Sequence, residues 1–314
     1  MIASVHVFSI PDAMRTRVLG MGPLGEQWLA ALPDTLADLA RQWSFVLGEP
    51  LAGGNAANLV ARVRLNDGGD AVLKVCVPDS AVVDEIHTIA AAHGRGYVRL
   101  LAHDLSRYAM LQESLGPSMY DTTPSPERSI DLLCETLHQA WQVPRPASAL
   151  VLDRAGQLSA LIAALWPALG RPCSTAVVER AHTYASRRTD ARDSTELVVC
   201  HGDPHPGNAL AVMTSRAGAE SGYVFVDPDG LVVDRAYDLG VVLRGWCAEL
   251  LAAKDAAVTA DGYCQRIAAA TGVDAEAVWQ WGYIQRVSTG LWLLSLGIDW
   301  GRLFLDSAER IVKG

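Results

Sequence analysis

The 314-residue chain lacks an excess of positive charge: 26 Lys and Arg stand against 35 Asp and Glu, a formal net charge of -9. A nucleic-acid binder needs a basic face to displace counterions, so that class is set aside. Paired cysteines are also missing. Cys76, Cys134, Cys173, Cys200, Cys247 and Cys264 are scattered, with no C-x-x-C among them. That pattern suits neither a zinc ribbon nor a dense disulfide framework, and we read the six as reduced thiols of a cytoplasmic protein. Long apolar runs are absent too. The late stretch LWLLSLGI ends at Asp299, far short of the ~20 residues that cross a bilayer, so no membrane partner is expected. The opening MIASVHVFSI has no basic residue ahead of its apolar stretch and does not read as a signal peptide. Repeats and low-complexity segments are not found. What is there is a chain half hydrophobic, enough for a sizeable core.

The organisation changes along the chain. Residues 1 to about 25 read as an arm or short lead-in. Apolar positions at helical spacing predict a helix over 25–43. SFVLGEPL, LVARVRL and AVLKVCV then read as strands, the second alternating Leu59, Ala61, Val63 and Leu65 against Val60, Arg62 and Arg64, the period of a half-buried strand. NDGGD between the last two is a hairpin turn. Pro78, Asp79 and Ser80 open a helix over about 81–93, and YVRLLAHD and YAMLQES read as two further strands. The second half is helical, beginning at the capping segment Ser125-Pro126-Glu127. The exceptions are ELVVC and GYVFVD, expected as one short hairpin on either side of HGDPHPGN. This predicts an α+β chain with a small, mainly β lobe over 1–112 and a larger, mainly α lobe over 113–314.

Two constellations carry chemistry. In HGDPHPGN, Asp203 is followed five residues later by Asn208, and Asp227 ends the next strand in VDPDG. Phosphoryl transfer from ATP with Mg2+ needs a carboxylate near the attacking hydroxyl and hard oxygen ligands for the metal. Kinases arrange these parts as H-R-D-x-x-x-x-N and a later D-F-G, and Asp203 and Asn208 keep that spacing. Upstream, GEPLAGGNAAN offers Gly53, Gly54 and Asn55 as a small-residue turn whose backbone N–H groups can approach phosphates. Lys74 lies inside an apolar strand, where burial demands a partner. Glu85 on the following helix is placed to supply it.

With these residues in order, the chain resembles the aminoglycoside phosphotransferase-type small-molecule kinases, in the streptomycin 6-kinase and hydroxyurea phosphotransferase branch. The resemblance is carried by PLAGGNAANLVARVRLNDGGDAVLKV, GRGYVRLLAHDLSRYAMLQESLGPSM, VCHGDPHPGNAL and VDPDGLVVDRAYDLG. It implies a two-lobed protein-kinase-like fold with ATP bound between the lobes. It implies that Asp203 is the catalytic carboxylate, that Lys74, held by Glu85, places the triphosphate, and that Asn208 and Asp227 bind magnesium. AMLQESLG becomes the hinge, with the backbones of Gln112 and Ser114 facing the adenine. Two positions depart from the family pattern: Pro204, where leucine is common, and Asp229, where lysine or another residue is common. Both bear on the acceptor rather than on the reaction. His205 and Asp229 are the candidate acceptor contacts. His201 is expected to be scaffolding, and Asp234 and Asp238 to be capping or helix-start carboxylates.

The acceptor implied is a small hydroxylated and cationic molecule, an aminoglycoside such as streptomycin first among them, and phosphorylating it confers antibiotic resistance. Hydroxyurea, another antibiotic, or a metabolic sugar or amino alcohol are the alternatives. No obligate protein partner is implied. Two rival readings remain at this point: a metal-dependent hydrolase using His201, Asp203 and His205, and a kinase-like binding module without turnover.

Overall fold

The alternation in residues 59–65 becomes a strand with Leu59, Ala61 and Val63 buried and Arg62 and Arg64 exposed. The computed structural model describes residues 10–51, 58–122, 125–147, 150–193 and 195–313. The chain divides into two units, residues 1–94 with 98–116, and residues 95–97 with 117–314.

In the first unit, β1 (Phe45–Pro50), β2 (Leu59–Leu65), β3 (Asp70–Val75), β4 (Leu100–Asp104) and β5 (Ala109–Glu113) form one antiparallel sheet in the order β1-β2-β3-β5-β4. Two helices precede it, α1 (Asp12–Leu19) and α2 (Pro23–Trp43). Proline at the first position of α2 suits a helix start, where its missing N–H has no intrahelical partner to lose. Leu32, Leu36 and Leu39 of α2 pack with Leu59, Val63, Ala71, Leu73 and Val75 of the sheet. The Trp28 indole N–H donates to the Cys76 carbonyl at 2.8 Å, tying α2 to the end of β3. The first 25 residues were expected to be a lead-in; α1 corrects that. In its sequence, DAMRTRVL, Met14 and Val18 are buried, spaced four apart, and both join this core, while Leu19 is exposed. Two buried positions in an octapeptide give too weak a period to recognise. After β3, α3 (Ser80–Ala92) is capped by Asp79, whose carboxylate accepts from the Ala81 amide at 3.0 Å.

The second unit contains the helices α4 (Met119–Thr122), α5 (Pro126–Ala140), α6 (Arg154–Ala168), α7 (Thr175–Asp190), α8 (Arg235–Arg244), α9 (Cys247–Ala252), α10 (Ala256–Thr271), α11 (Ala275–Ser295) and α12 (Gly301–Lys313). Helix α11 is the centre of the unit and packs against α6, α7, α8, α10 and α12. Four short strands interrupt the helices: β6 (Leu197–Cys200), β7 (Ala209–Ala211), β8 (Tyr223–Phe225) and β9 (Leu231–Asp234). One hairpin was expected here, with ELVVC and GYVFVD flanking the motif. Instead β6 pairs with β9 and β7 with β8, two separate antiparallel ribbons. The chain turns at Asp227, whose φ of 58° lies in the left-handed region. That turn separates β8 from β9 and leaves residues 201–208 and 226–230 as two facing loops.

Helices α8 and α11 approach closely because residue 240 is glycine. A Cβ there would lie 2.6 Å from the Trp281 Cβ and 2.8 Å from the Gly282 amide nitrogen, too close for either to remain in place. We expect Gly240→Ala to destabilise the chain by about 1–3 kcal/mol. Urea unfolding should report it as a lower midpoint with an unchanged slope.

Candidate active site

In the first unit the site begins with strand alternation. Ala71, Leu73 and Val75 face the core shared with α2, so Lys74 points to the opposite face. There Glu85 of α3 meets it, Nζ to Oε1 at 2.6 Å, with both residues about 5–6% exposed. A buried ammonium is tolerable only with such a partner. Gly53, Gly54 and Asn55 lie outside the described residues. Strand β5 has β3 on one side and β4 on the other. The Glu113 amide donates to the Arg99 carbonyl at 3.0 Å on the β4 side. Backbone groups alternate sides along a strand, so those of Gln112 face β3, where Val72 is the partner. This departs from the expectation that the Gln112 backbone faces adenine: its groups serve the sheet. Ser114 lies past the last paired residue.

In the second unit the two facing loops are stitched together. The Asp229 amide donates to the His201 carbonyl at 2.7 Å, and the Val226 amide to the Asn208 carbonyl at 2.9 Å. His201 is fully buried. Its Nδ1 accepts from the Asp203 amide at 3.1 Å, so Nε2 carries the proton and donates to the Val226 carbonyl at 3.0 Å. The ring stacks with Tyr97 at 5.9 Å and meets Phe225 edge-on at 4.8 Å. With both nitrogens engaged, His201 cannot ligate a metal. The Nδ1 of His205 accepts from the Gly207 amide at 3.0 Å. Losing His201 removes the two-histidine cage that the hydrolase reading needs. Among the described residues no group of three His, Cys, Asp or Glu is arranged to hold a metal ion.

Asp238, in the first turn of α8, holds the start of the loop. Oδ2 accepts from the His201 amide and the Trp141 indole N–H, each at 2.9 Å, and Oδ1 from the Gly202 amide at 2.8 Å. Burial pushes its carboxyl pKa up, and the three donors pull the other way. Gly202 has φ 94°, and a Cβ there would lie 2.4 Å from the Asp229 carboxylate. Asp234 accepts from the Trp281 indole N–H at 3.2 Å. Neither carboxylate caps α8 through a side-chain hydrogen bond: Asp234 serves the Trp281 indole and Asp238 the loop and the Trp141 indole.

The loop so fixed carries Asp203, half-buried. Its Oδ1 accepts from Arg244 NH2, and Oδ2 lies 3.5 Å from His205 Nε2. Desolvation raises its pKa, but the charge of the Arg244 guanidinium and its hydrogen bond outweigh it and hold the carboxyl below the ordinary range. Asn208 donates Nδ2 to the Asp203 carbonyl at 3.0 Å, which leaves the amide oxygen as its acceptor group. Asp227 follows Val226, the residue bonded to Asn208, and is exposed. An amide oxygen and a carboxylate on neighbouring turns suit a hard cation that keeps water and phosphate as its other ligands.

A cavity of about 360 Å³ opens on Asp203, walled by Asp229, Arg154, Tyr237, Arg244, Gln285 and Trp292 among others. Desolvation pushes the Asp229 carboxyl pKa up and the negative charge of Asp203 adds to the effect, against the Arg154 charge. His205, the other expected acceptor contact, does not wall this cavity. Arg154, Tyr237, Arg244 and Gln285 were not anticipated. Arg154 donates Nε to the Tyr237 hydroxyl at 3.1 Å. Gln285 donates to the Tyr237 carbonyl at 2.8 Å and accepts from Arg244 NH1 at 3.3 Å. Of the late tryptophans, Trp292 reaches the cavity and Trp281 is core.

Residues 43–297 match the profile of the aminoglycoside/hydroxyurea antibiotic resistance kinases. The chain belongs to this family. It is 27% identical to the streptomycin 6-kinase of Streptomyces glaucescens over 289 residues, 91% of this chain and 90% of that one. To the hydroxyurea phosphotransferase of Kitasatospora aureofaciens it is 27% identical over 222 residues, 69% of this chain and 62% of that one. Its fold is similar to an amicoumacin kinase solved with AMP-PNP and Ca2+, with a TM-score of 0.60 at 13% identity, covering 89% of this chain and 94% of that one. The fold is therefore the two-lobed protein-kinase-like one, and the family member is a small-molecule phosphotransferase acting on a hydroxyl group. No helix among the described residues is long and apolar enough to cross a membrane.

Because Asp203 rides on a loop held by Asp238, Asp238→Asn should disturb both stability and catalysis. Whichever oxygen becomes NH2, that group is set against a backbone N–H donor, either that of Gly202 or that of His201 together with the Trp141 indole, at an expected cost of about 2–4 kcal/mol. Thermal unfolding should report the loss, and phosphotransferase turnover at a temperature where the variant is folded should fall more than ~10-fold.

Proposed function

We propose that the chain transfers the γ-phosphoryl group of ATP, with Mg2+, to a hydroxyl of a small acceptor, with Asp203 as the catalytic carboxylate. The observation that carries this reading is the placement of Asp203 on the cavity wall, bonded through its carbonyl to Asn208. The acceptor oxygen forms its bond to the γ-phosphorus as the bond from phosphorus to the bridging oxygen breaks. That oxygen leaves on ADP with the electron pair, and the Asp203 carboxylate takes the hydroxyl proton. In a loose transfer of this kind the protein contributes mainly orientation and charge placement. Asn208 and Asp227 would hold magnesium, which when bound offsets charge on the transferred group. Lys74, fixed by Glu85, would place the triphosphate.

The acceptor class proposed is an aminoglycoside such as streptomycin, which would make the chain an antibiotic-resistance enzyme; hydroxyurea is the alternative in the same family. Asp229 on the cavity wall is the carboxylate that would face a cationic acceptor. An ATP-consumption screen against an antibiotic panel, with mass detection of an added phosphoryl group, tests the reaction and the acceptor together. Turnover should require ATP and Mg2+. Asp203→Ala should lower turnover at least ~100-fold while nucleotide affinity stays within a few-fold; wild-type turnover in that variant would overturn the assignment. Lys74→Ala should instead raise the nucleotide KM, and an unchanged KM and kcat would remove Lys74 from the reaction.

A further inference from the structure

Arg244 is the last residue of α8, and it is fixed at both ends. Its side chain, 16% exposed, donates NH2 to the Asp203 carboxylate and NH1 to Gln285. Its backbone is flanked by the Leu243 and Gly245 carbonyls, and both accept from NH2 of Arg286, at 2.8 and 3.4 Å. The other terminal nitrogen of Arg286 donates to the Ser307 hydroxyl at 2.9 Å and to the Cys247 sulfur at 3.4 Å. Arg286 is 2% exposed. None of the groups that accept from it is a carboxylate, and it forms no ion pair among the described residues.

A guanidinium buried without a carboxylate costs stability, and an apolar residue of similar size is the cheaper choice. The pair that it supports, Arg244 with Asp203, is partly solvated, with the side chains 16% and 38% exposed, and returns modest net stability by itself. Stability therefore does not account for the arrangement. What it accomplishes is geometric. Two consecutive residues of α11, Gln285 and Arg286, fix the side chain and the backbone of Arg244, and Arg244 fixes one oxygen of the carboxylate at the cavity. The chain leaves α8 through Trp246, whose φ of 61° is a left-handed strain at the same corner.

We propose that Arg244 is a positioning residue of the transfer reaction: it holds the Asp203 carboxylate by Oδ1 in one orientation at the cavity wall, and Gln285 and Arg286 hold Arg244. This rests on the reading of Asp203 as the catalytic carboxylate. The planar fork of arginine matters here, because one guanidinium spans Asp203 and Gln285 together, which the point charge of a lysine ammonium does not do with the same geometry.

The test uses the full chain, the acceptor found by the antibiotic screen, and four variants in one assay: Arg244→Ala, Arg244→Lys, Arg286→Met and Asp203→Asn. Arg244→Ala should lose roughly 100-fold in kcat with the nucleotide KM little changed. Free guanidinium ion at millimolar concentration should restore part of that rate, and should restore none in Asp203→Asn. Arg244→Lys should keep more activity than Arg244→Ala, and Arg286→Met should lower kcat with the same insensitivity of nucleotide KM. Wild-type kcat in Arg244→Ala beside an inactive Asp203→Asn overturns the inference and leaves the proposed function standing. A rate loss that guanidinium does not relieve, and that follows the melting temperature, also overturns it. Full activity in Asp203→Asn removes the catalytic assignment and this inference with it. Should Arg244→Ala fail to fold, the kcat of Arg244→Lys against wild type decides: an unchanged value counts against the inference, and a lowered one with unchanged nucleotide KM supports it.

Discussion

A single buried carboxylate organises the loop that carries Asp203. Asp238 accepts from the backbone amides of His201 and Gly202 and from the Trp141 indole, so one side chain joins α8, the loop and the end of α5. The geometry downstream follows from that clamp. With the His201 backbone fixed, its ring can bridge the Asp203 amide and the Val226 carbonyl. That bridge joins the loop before β7 to the loop after β8, and the Asp229 amide closes the same pair through the His201 carbonyl. Asp203, Asn208 and Asp227 are then presented from two short loops, of which the first holds only a single 3-10 turn, Pro206–Asn208. Loops carry chemistry well when a rigid scaffold determines where they point. Here the scaffold is α8 packed on α11 at Gly240.

The first unit solves a different problem with the same physics. Lys74 is placed by strand alternation on the face opposite the α2 core, and Glu85 makes its burial tolerable. A lysine in a strand is easily rotated by a neighbouring group, and the carboxylate of a helix is a rigid place to tether it. In both units a buried polar group is satisfied by partners from a separate element, and such partners are the reason these groups keep one conformation.

Those parts were unequally legible in the sequence. The alternation of residues 59–65, a lysine within an apolar strand, and the order of HGD, Asn208 and Asp227 are local patterns, and each reads directly as chemistry or period. Helix α1 was not legible, because Met14 and Val18 are too few to set a period. The pairing of β6 with β9 and β7 with β8 was not legible either, since strands of three or four residues carry no register signal. The backbone of Gln112 was misjudged because the side of a strand that a backbone group faces depends on which neighbours pair with it. Arg154, Arg244 and Gln285 come from three helices, and nothing local marks them. The hint that was available was Arg244 at the close of the same helix that opens with Asp238.

The cavity also shows why net charge is a poor guide to an acceptor. The chain carries -9 overall, a balance compatible with a cationic acceptor but common to soluble proteins. Yet the cavity wall sets Arg154 and Arg244 beside Asp203 and Asp229, two positive groups against two negative ones. Surface charge acts over a Debye length and affects encounter, whereas recognition happens among groups in contact. Arg244 is engaged with Asp203, while Arg154, tied to the Tyr237 hydroxyl and Gln157, forms no ion pair among the described residues. An acceptor entering here meets a carboxylate at Asp229 and a guanidinium at Arg154 from one wall. Its fit is decided by where its hydroxyls and charged groups lie relative to those two, and a polycation with charge on every side would bring one of its groups against Arg154. If the proposed acceptor binds at this wall, the arrangement of its polar groups would decide its fit more than its total charge.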